Sequence, residues 1–268
     1  FLKKLRKSVK ESNPDAVIIG EVWEDASNKI AYSQRRAYLQ GEELDSVMNY
    51  PLKDAIIRYM QTANACELLH SIKILIDHYP KQTLDCLMNI LGTHDTPRIL
   101  TVLGGIICKN KDEMAQPNAY LSPEQKKKAL NQLKMSAILQ YTMPGIPCLY
   151  YGDENGMEGH IDPFCRQCFD WEHLNQDLIG FYKKLGNIRK TYKNAFKTGI
   201  FQEVYAHQGF LFYKRMGTKQ CVYVYTNNQS TPYLLNLKEE YTELISGKIQ
   251  QDKFIVEPYS YGILVKNK

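Results

Sequence analysis

From Phe1 to about Trp171, short apolar runs alternate with longer stretches of helical periodicity. Ala16-Val17-Ile18-Ile19-Gly20 lacks period-two alternation, as expected of a strand covered on both faces. Asp45-Ser46-Val47-Met48-Asn49-Tyr50, Leu87-Met88-Asn89-Ile90-Leu91-Gly92 and Pro147-Cys148-Leu149-Tyr150-Tyr151-Gly152 are three further strand candidates. Between them, helical spacing covers residues 53–61, 66–78 and 123–140. The last of these opens with Ser122-Pro123-Glu124-Gln125, a capping serine followed by proline in the first turn and glutamine at its third position. Strands alternating with helices predict a parallel sheet with helical crossovers. A final helix is expected over residues 177–190, and beyond it the pattern changes. Residues 209–215, 221–226 and 261–265 are β-rich runs broken by Gly, Asn, Ser and Pro, which predicts an antiparallel sheet. The boundary falls near Tyr192, giving an α/β unit over residues 1–191 and a β-domain over 192–268. At the other end, Phe1 to Val9 already place apolar residues at helical intervals, as though a helix were entered without a cap; the expectation is a cut end.

A chain of 268 residues can bury one large core with a smaller companion. Lys and Arg number 34 against 29 Asp and Glu. The excess is thin apart from Lys3, Lys4, Arg6, Lys7 and the run Lys126 to Lys128, both of which read as solvated helix faces, so a nucleic-acid partner is not expected. No apolar stretch approaches the roughly 18 residues that span a bilayer, and the first residues lack a signal peptide's apolar core. Seven cysteines at scattered spacing do not suggest a disulfide framework, and the expected compartment is the reducing cytoplasm.

In parallel α/β proteins, reactive side chains collect where strands end at their carboxyl edge. The first run ends in Gly20-Glu21-Val22-Trp23, a carboxylate leaving a buried strand with an indole two residues on. The third ends in Gly92-Thr93-His94-Asp95-Thr96-Pro97-Arg98, and the fourth in Tyr150-Tyr151-Gly152-Asp153-Glu154. Paired carboxylates beside flat aromatic faces suit glycosidic cleavage: one carboxyl protonates the leaving oxygen while negative charge stabilises an oxocarbenium-like transition state. Singly, each has a blander reading. A glutamate at a strand end is most often a salt-bridge partner, and a His-Asp pair most often a loop hydrogen bond.

The spelling of these segments resembles the α-amylase superfamily of glycoside hydrolases. Gly20-Glu21-Val22-Trp23 is similar to the end of that family's fifth barrel strand, and Asp45 to Pro51 looks like the sixth. Asn89 to Arg98 resembles the seventh, and Met143 to Glu154 the eighth. Gly156-Met157-Glu158-Gly159 followed by Asp162-Pro163-Phe164-Cys165-Arg166-Gln167-Cys168 is most similar to the neopullulanase and cyclomaltodextrinase group. The resemblance implies the C-terminal half of a (β/α)8 TIM barrel, strands five to eight, followed by a small antiparallel β-sandwich. It implies α-1,4 glucosidic bonds of maltooligosaccharides, cyclomaltodextrins or pullulan as substrate, with α-1,6 bonds an open alternative. By the same resemblance, Glu21 is the general acid/base and Asp95 the carboxylate that stabilises the transition state. His94 would bind sugar hydroxyls, and Trp23, Asp162 and Arg166 would shape the subsites. No cofactor and no metal site is implied, and a calcium requirement of the parent protein is left open.

The family's nucleophile, an aspartate in an Arg-x-Asp segment, has no counterpart among the twenty residues before Glu21. The isolated chain is therefore expected to be inactive, since a retaining mechanism needs a covalent step on that carboxylate. Four parallel strands leave edges and an inner face uncovered, so self-association or pairing with the other barrel half is expected. Two rival readings are a non-catalytic amylase-like binding or assembly protein and a barrel enzyme acting on phosphorylated substrates. No Gly-rich loop opens a helix to hold a phosphate. Cys165-x-x-Cys168 with His160 and His173 could be read as zinc ligands, but a sugar-site loop with free thiols is preferred, because zinc sites usually place both histidines on one later segment. Asp153 and Glu154 read as hydrogen-bonded structural acids, and the late tyrosines as strand packing.

Overall fold

The computed structural model describes residues 1–267 except 115, 117 and 118. In chain order, the first part consists of helix α1 (Leu2–Ser12), strand β1 (Ile19–Gly20), the hairpin β2 (Ile30–Ala31) and β3 (Gln34–Arg35), and β4 (Ser46–Val47). It continues with α2 (Tyr50–Thr62), α3 (Ala65–His78), α4 (Lys81–Asp85), β5 (Met88–Asn89), α5 (Ile99–Gly104) and α6 (Lys111–Met114). Helix α7 (Pro123–Thr142), β6 (Ile146–Pro147), α8 (Gln176–Thr191) and α9 (Lys193–Lys197) complete it.

β1 and β4 pair in parallel, a parallel bridge joins Met48 to Met88, and β5 pairs in parallel with β6. The short strands thus lie side by side in chain order, with helices between β4 and β5 and between β5 and β6 as the pattern predicts, while the β2–β3 hairpin, not a helix, connects β1 to β4. Each is shorter than its apolar run. The fourth is also displaced: β6 ends at Pro147, and Tyr151-Gly152 already form the following turn, because Gly152 adopts φ +89°. Strand ends are cross-braced by buried asparagines. Asn49 Nδ2 donates to Asn89 Oδ1 (2.8 Å), and Asn89 Nδ2 donates to the Pro144 carbonyl (2.9 Å).

Helix starts follow their sequence signals. Asn49, Asn64, Ser122 and Asn175 each accept a backbone N–H in the first turn of the helix that follows, and Ser122 with Gln125 completes a capping box. Helix α1 has no side-chain cap and no buried residue. It is tied down by charge instead: Arg6 and Lys10 lie 2.9 and 3.3 Å from the two oxygens of Asp45. The basic run Lys126 to Lys128 is exposed on α7, as a solvated face should be. Among the described residues, no helix is long and apolar enough to cross a membrane.

The remaining strands are β7 (Ile200–His207), β8 (Phe210–Met216), β9 (Cys221–Asn227), β10 (Tyr233–Glu243), β11 (Ile249–Val256) and β12 (Ser260–Lys266). They form one antiparallel sheet in the order β11-β10-β12-β9-β8-β7. This corrects the expected two-layer sandwich. β10 hydrogen-bonds to both β11 and β12, with a register shift between Leu237 and Tyr241, so the ladder is unbroken and the sheet curls over its own core. Phe210 of β8 stacks on Tyr233 of β10 at 3.8 Å between ring centres, although two strands separate them in the sheet. β8 is covered on both faces: Phe210 and Phe212 enter this small core, while Leu211 and Tyr213 join the main core formed with α2, α3, α7 and α8.

Candidate active site

Parallel pairing puts the ends of β1, β4 and β5 on one edge, and the sequence-derived residues meet there. Glu21 follows β1 directly, and His94 and Asp95 stand on the loop after β5. Donor atoms of Glu21, His94 and Asp95 lie within 4.8 Å of one another. His94 Nε2 is 3.2 Å from Asp95 Oδ2. Arg166 Nη2 donates to Asp95 Oδ1 (2.8 Å), and its Nε lies 2.6 Å from Asp162 Oδ1. Arg166 Nε also donates to the His94 carbonyl at 2.9 Å, so residues 162–166 clamp the loop that carries His94 and Asp95. Trp23, half-exposed, stacks on Tyr50 with ring centres 4.5 Å apart and planes 12° from parallel. All six candidate residues therefore belong to one connected constellation.

Tyr50 was not assigned a role from sequence. Its hydroxyl donates to Glu21 Oε1 (2.9 Å), and its side chain is almost wholly buried. Burial, with Glu21 and Asp95 nearby, pushes its phenol up to about 12, so it stays a neutral donor at ordinary pH. The signal was available: Tyr50 ends the second apolar run, and the rule of looking at strand ends applies to it as it does to Glu21.

A second residue without an assigned role is Arg98, fully buried beneath the site. Its guanidinium lies over the rings of Tyr150 and Tyr151 at 4.4 and 4.6 Å, donates to the Tyr151 carbonyl, and stands 3.5 Å from Asp153 Oδ1. Burial pushes the Asp153 carboxyl up to about 7 against the opposing pull of Arg98. Glu154 Oε2 accepts the Gly152 N–H at 2.7 Å, so both acids are hydrogen-bonded parts of the strand-end turn.

The four residues of the zinc reading are engaged separately. Buried Cys165 donates its thiol to the His94 carbonyl (3.0 Å). His160 accepts from the Cys108 N–H at Nδ1 and meets the Ala119 carbonyl at Nε2, while His173 pairs with Asp170. Cys168 is exposed, and all seven cysteines are free thiols.

The chain is thus a parallel α/β scaffold that gathers two carboxylates, an imidazole and a stacked aromatic pair at its strand ends. The α-amylase catalytic-domain model matches residues 1–196, and the chain belongs to that family. It is 32% identical over 243 residues to a cyclomaltodextrinase of Thermoanaerobacter pseudethanolicus, covering 89% of this chain and 37% of the relative. It is 34% identical over 197 residues to neopullulanase 2 of Thermoactinomyces vulgaris, covering 70% of this chain and 28% of the relative. The type III pullulan hydrolase from Thermococcus kodakarensis superposes with a TM-score of 0.80 at 26% identity, over 99% of this chain and 42% of that one. Its place is with the cyclomaltodextrinase and neopullulanase group, and it spans well under half the length of these relatives.

Proposed function

We propose that this chain is the acid/base-bearing part of a retaining α-glucan hydrolase acting on maltooligosaccharides, cyclomaltodextrins or pullulan. The observation that carries this reading is the convergence of Glu21, His94 and Asp95 within 4.8 Å, with Trp23 stacked beside them. Glu21 donates a proton to the glycosidic oxygen and later accepts one from water, and Asp95 stabilises the positive charge that develops on the sugar. His94 binds sugar hydroxyls, Trp23 offers its open face to a ring, and Asp162 with Arg166 limits the neighbouring subsite. The four parallel strands are strands five to eight of a (β/α)8 barrel spanning residues 1–191, and residues 192–268 form the appended sheet domain.

Glu21 stands exposed, so the water-excluded surroundings in which such an acid works must come from substrate and from further polypeptide. Val17 and Ile19 at one end of the parallel strands, and Ile146 and Leu149 at the other, are apolar and open, which supports closure by a first barrel half or by a second copy. A strictly monomeric, well-folded species in light scattering, unchanged on adding a first half, counts against that partner. Seven free cysteines support a cytoplasmic setting.

The deciding experiment measures reducing sugar released from cyclomaltodextrin and maltotriose by the chain alone, by the chain joined to an upstream segment bearing the Arg-x-Asp nucleophile, and by Glu21→Gln versions of both. We expect the chain alone to be silent, the extended form to be active, and Glu21→Gln to lower its rate by about a thousandfold or more. Activity of the chain alone that depends on Glu21 overturns the divided site and makes Asp95 the first nucleophile to test.

A further inference from the structure

Of the residues gathered at the strand ends, Tyr50 touches both Glu21 and Trp23, yet neither the spacing of motifs nor the proposed mechanism assigns it work. It is the first residue of α2, fixed there by Asn49, whose side chain caps the helix through the Leu52 N–H and braces Asn89 of β5. Its ring is closed in between Trp23 on one side and the Lys53 ammonium, 5.7 Å from the ring centre. Its hydroxyl donates to Glu21 Oε1, and among the described residues no donor reaches Glu21 Oε2. One oxygen of the carboxyl is therefore held by the protein while the other is left for substrate.

We propose that Tyr50 is a positioning residue: its hydroxyl fixes Glu21 so that Oε2 faces the scissile bond, and its ring sets the plane of Trp23. The inference rests on the reading of Glu21 as acid/base. A carboxyl on an exposed loop turns about its last torsion in a broad, two-fold well, so a single hydrogen bond to one oxygen selects an orientation that packing alone does not. Glu21 carries its proton on Oε2 in the first step and is a carboxylate after delivering it, whereas the phenol keeps its own proton throughout. Donation to Oε1 thus supports the carboxylate without competing for the transferred proton. The contact strengthens as charge develops on Glu21, and a contact of that kind acts on kcat more than on KM.

The test compares Tyr50→Phe with wild type in the active, extended protein, using maltotriose hydrolysis for kcat and KM. Intrinsic tryptophan fluorescence on titration with maltotriose reports sugar binding. Phe keeps the ring and the Trp23 stack and removes only the donor. The expected result is a fall in kcat of about tenfold at little-changed KM, with fluorescence-monitored maltotriose binding within about twofold. Unchanged kcat, or a loss carried by KM in proportion, overturns the inference. Should Tyr50→Phe not fold, difluorotyrosine at position 50 keeps the shape and strengthens the donor; altered kcat at constant KM supports the inference, and identical kinetics overturn it. Glu21→Gln in the same assay separates the two levels. If Glu21→Gln is silent and Tyr50→Phe is normal, only the role of Tyr50 fails; if Glu21→Gln remains active, the acid/base reading fails and the role of Tyr50 with it.

Discussion

Two acids in this chain, one partly exposed and one wholly buried, behave oppositely because of what surrounds them. Burial also works against the charge of Asp45, but the Ile18 N–H and the guanidinium of Arg6 outweigh it and hold the carboxyl below its ordinary value. At Asp153 the Arg98 guanidinium is too poorly placed, at 3.5 Å, to offset complete burial, and the carboxyl rises from 3.8 to about 7. A raised acid binds its proton more tightly folded than unfolded, so its contribution is fully present below 3.8 and is lost as pH climbs through about 7. Thermal melts should accordingly show wild type losing stability across that window relative to Asp153→Asn, whose side chain cannot ionise. Parallel pH profiles of the two proteins would contradict this. Asp153 and Glu154 were legible as structural acids from their place after an apolar run, but the Arg98 beneath them was not. Nothing in the spelling Thr96-Pro97-Arg98 says that the guanidinium turns inward under two tyrosine rings.

At the scale of elements, helices were easier to read than strands. The capping box at Ser122 marks the start of α7 to the residue, and Ser122→Ala should lower stability by about 1 kcal/mol in urea melts, since one orphan N–H loses its acceptor. The parallel strands are two residues long, and their apolar runs overstate them: residues of the runs beyond the ladder, Val17 and Leu149 among them, stand open. Asn89 braces this edge in addition to the ladder. Its side chain bonds Asn49 and the Pro144 carbonyl, and the Gln140 amide bonds its carbonyl. Asn89→Ala strands an amide and a carbonyl in the interior and should reduce stability by about 3 kcal/mol, measurable as a shifted denaturant midpoint at constant slope. β7, β10 and β11 escaped the pattern reading altogether. All three lie at or near the edges of the sheet, where exposed polar residues interrupt the apolar runs.

Across the molecule, the α/β part and the antiparallel sheet are joined by a common interior. Leu211, Tyr213, Val222, Val224 and Ile263 of the sheet pack into the core that holds Ile56, Ile72, Leu133 and Leu185 of the helices. Arg215, wholly buried, reaches across the seam and donates to the carbonyls of Thr142, Phe196 and Gly199. Burial lowers its guanidinium to about 10, a measure of how completely water is excluded there. Arg215→Leu leaves these carbonyls unpaired and should destabilise the whole chain by about 2 kcal/mol. The shared core further predicts one cooperative transition seen alike by far- and near-ultraviolet circular dichroism. Two separated transitions would show that the sheet folds by itself.

The sequence by itself determined the alternation of strand and helix, the helix caps, the antiparallel end and the strand-end segments that point to Glu21, His94 and Asp95. Those features are set locally, by side-chain periodicity and by the hydrogen bonds that short polar residues make to neighbouring backbone. The tertiary structure decided which strand ends share an edge, and so which residues meet: Tyr50 against Glu21, Arg166 against Asp95, Arg98 beneath both tyrosines. It also decided that the last six strands join as one sheet, in which β10 pairs with β11 on one side and β12 on the other. Each of these joins positions far apart in the chain, and such contacts depend on packing that no local pattern encodes.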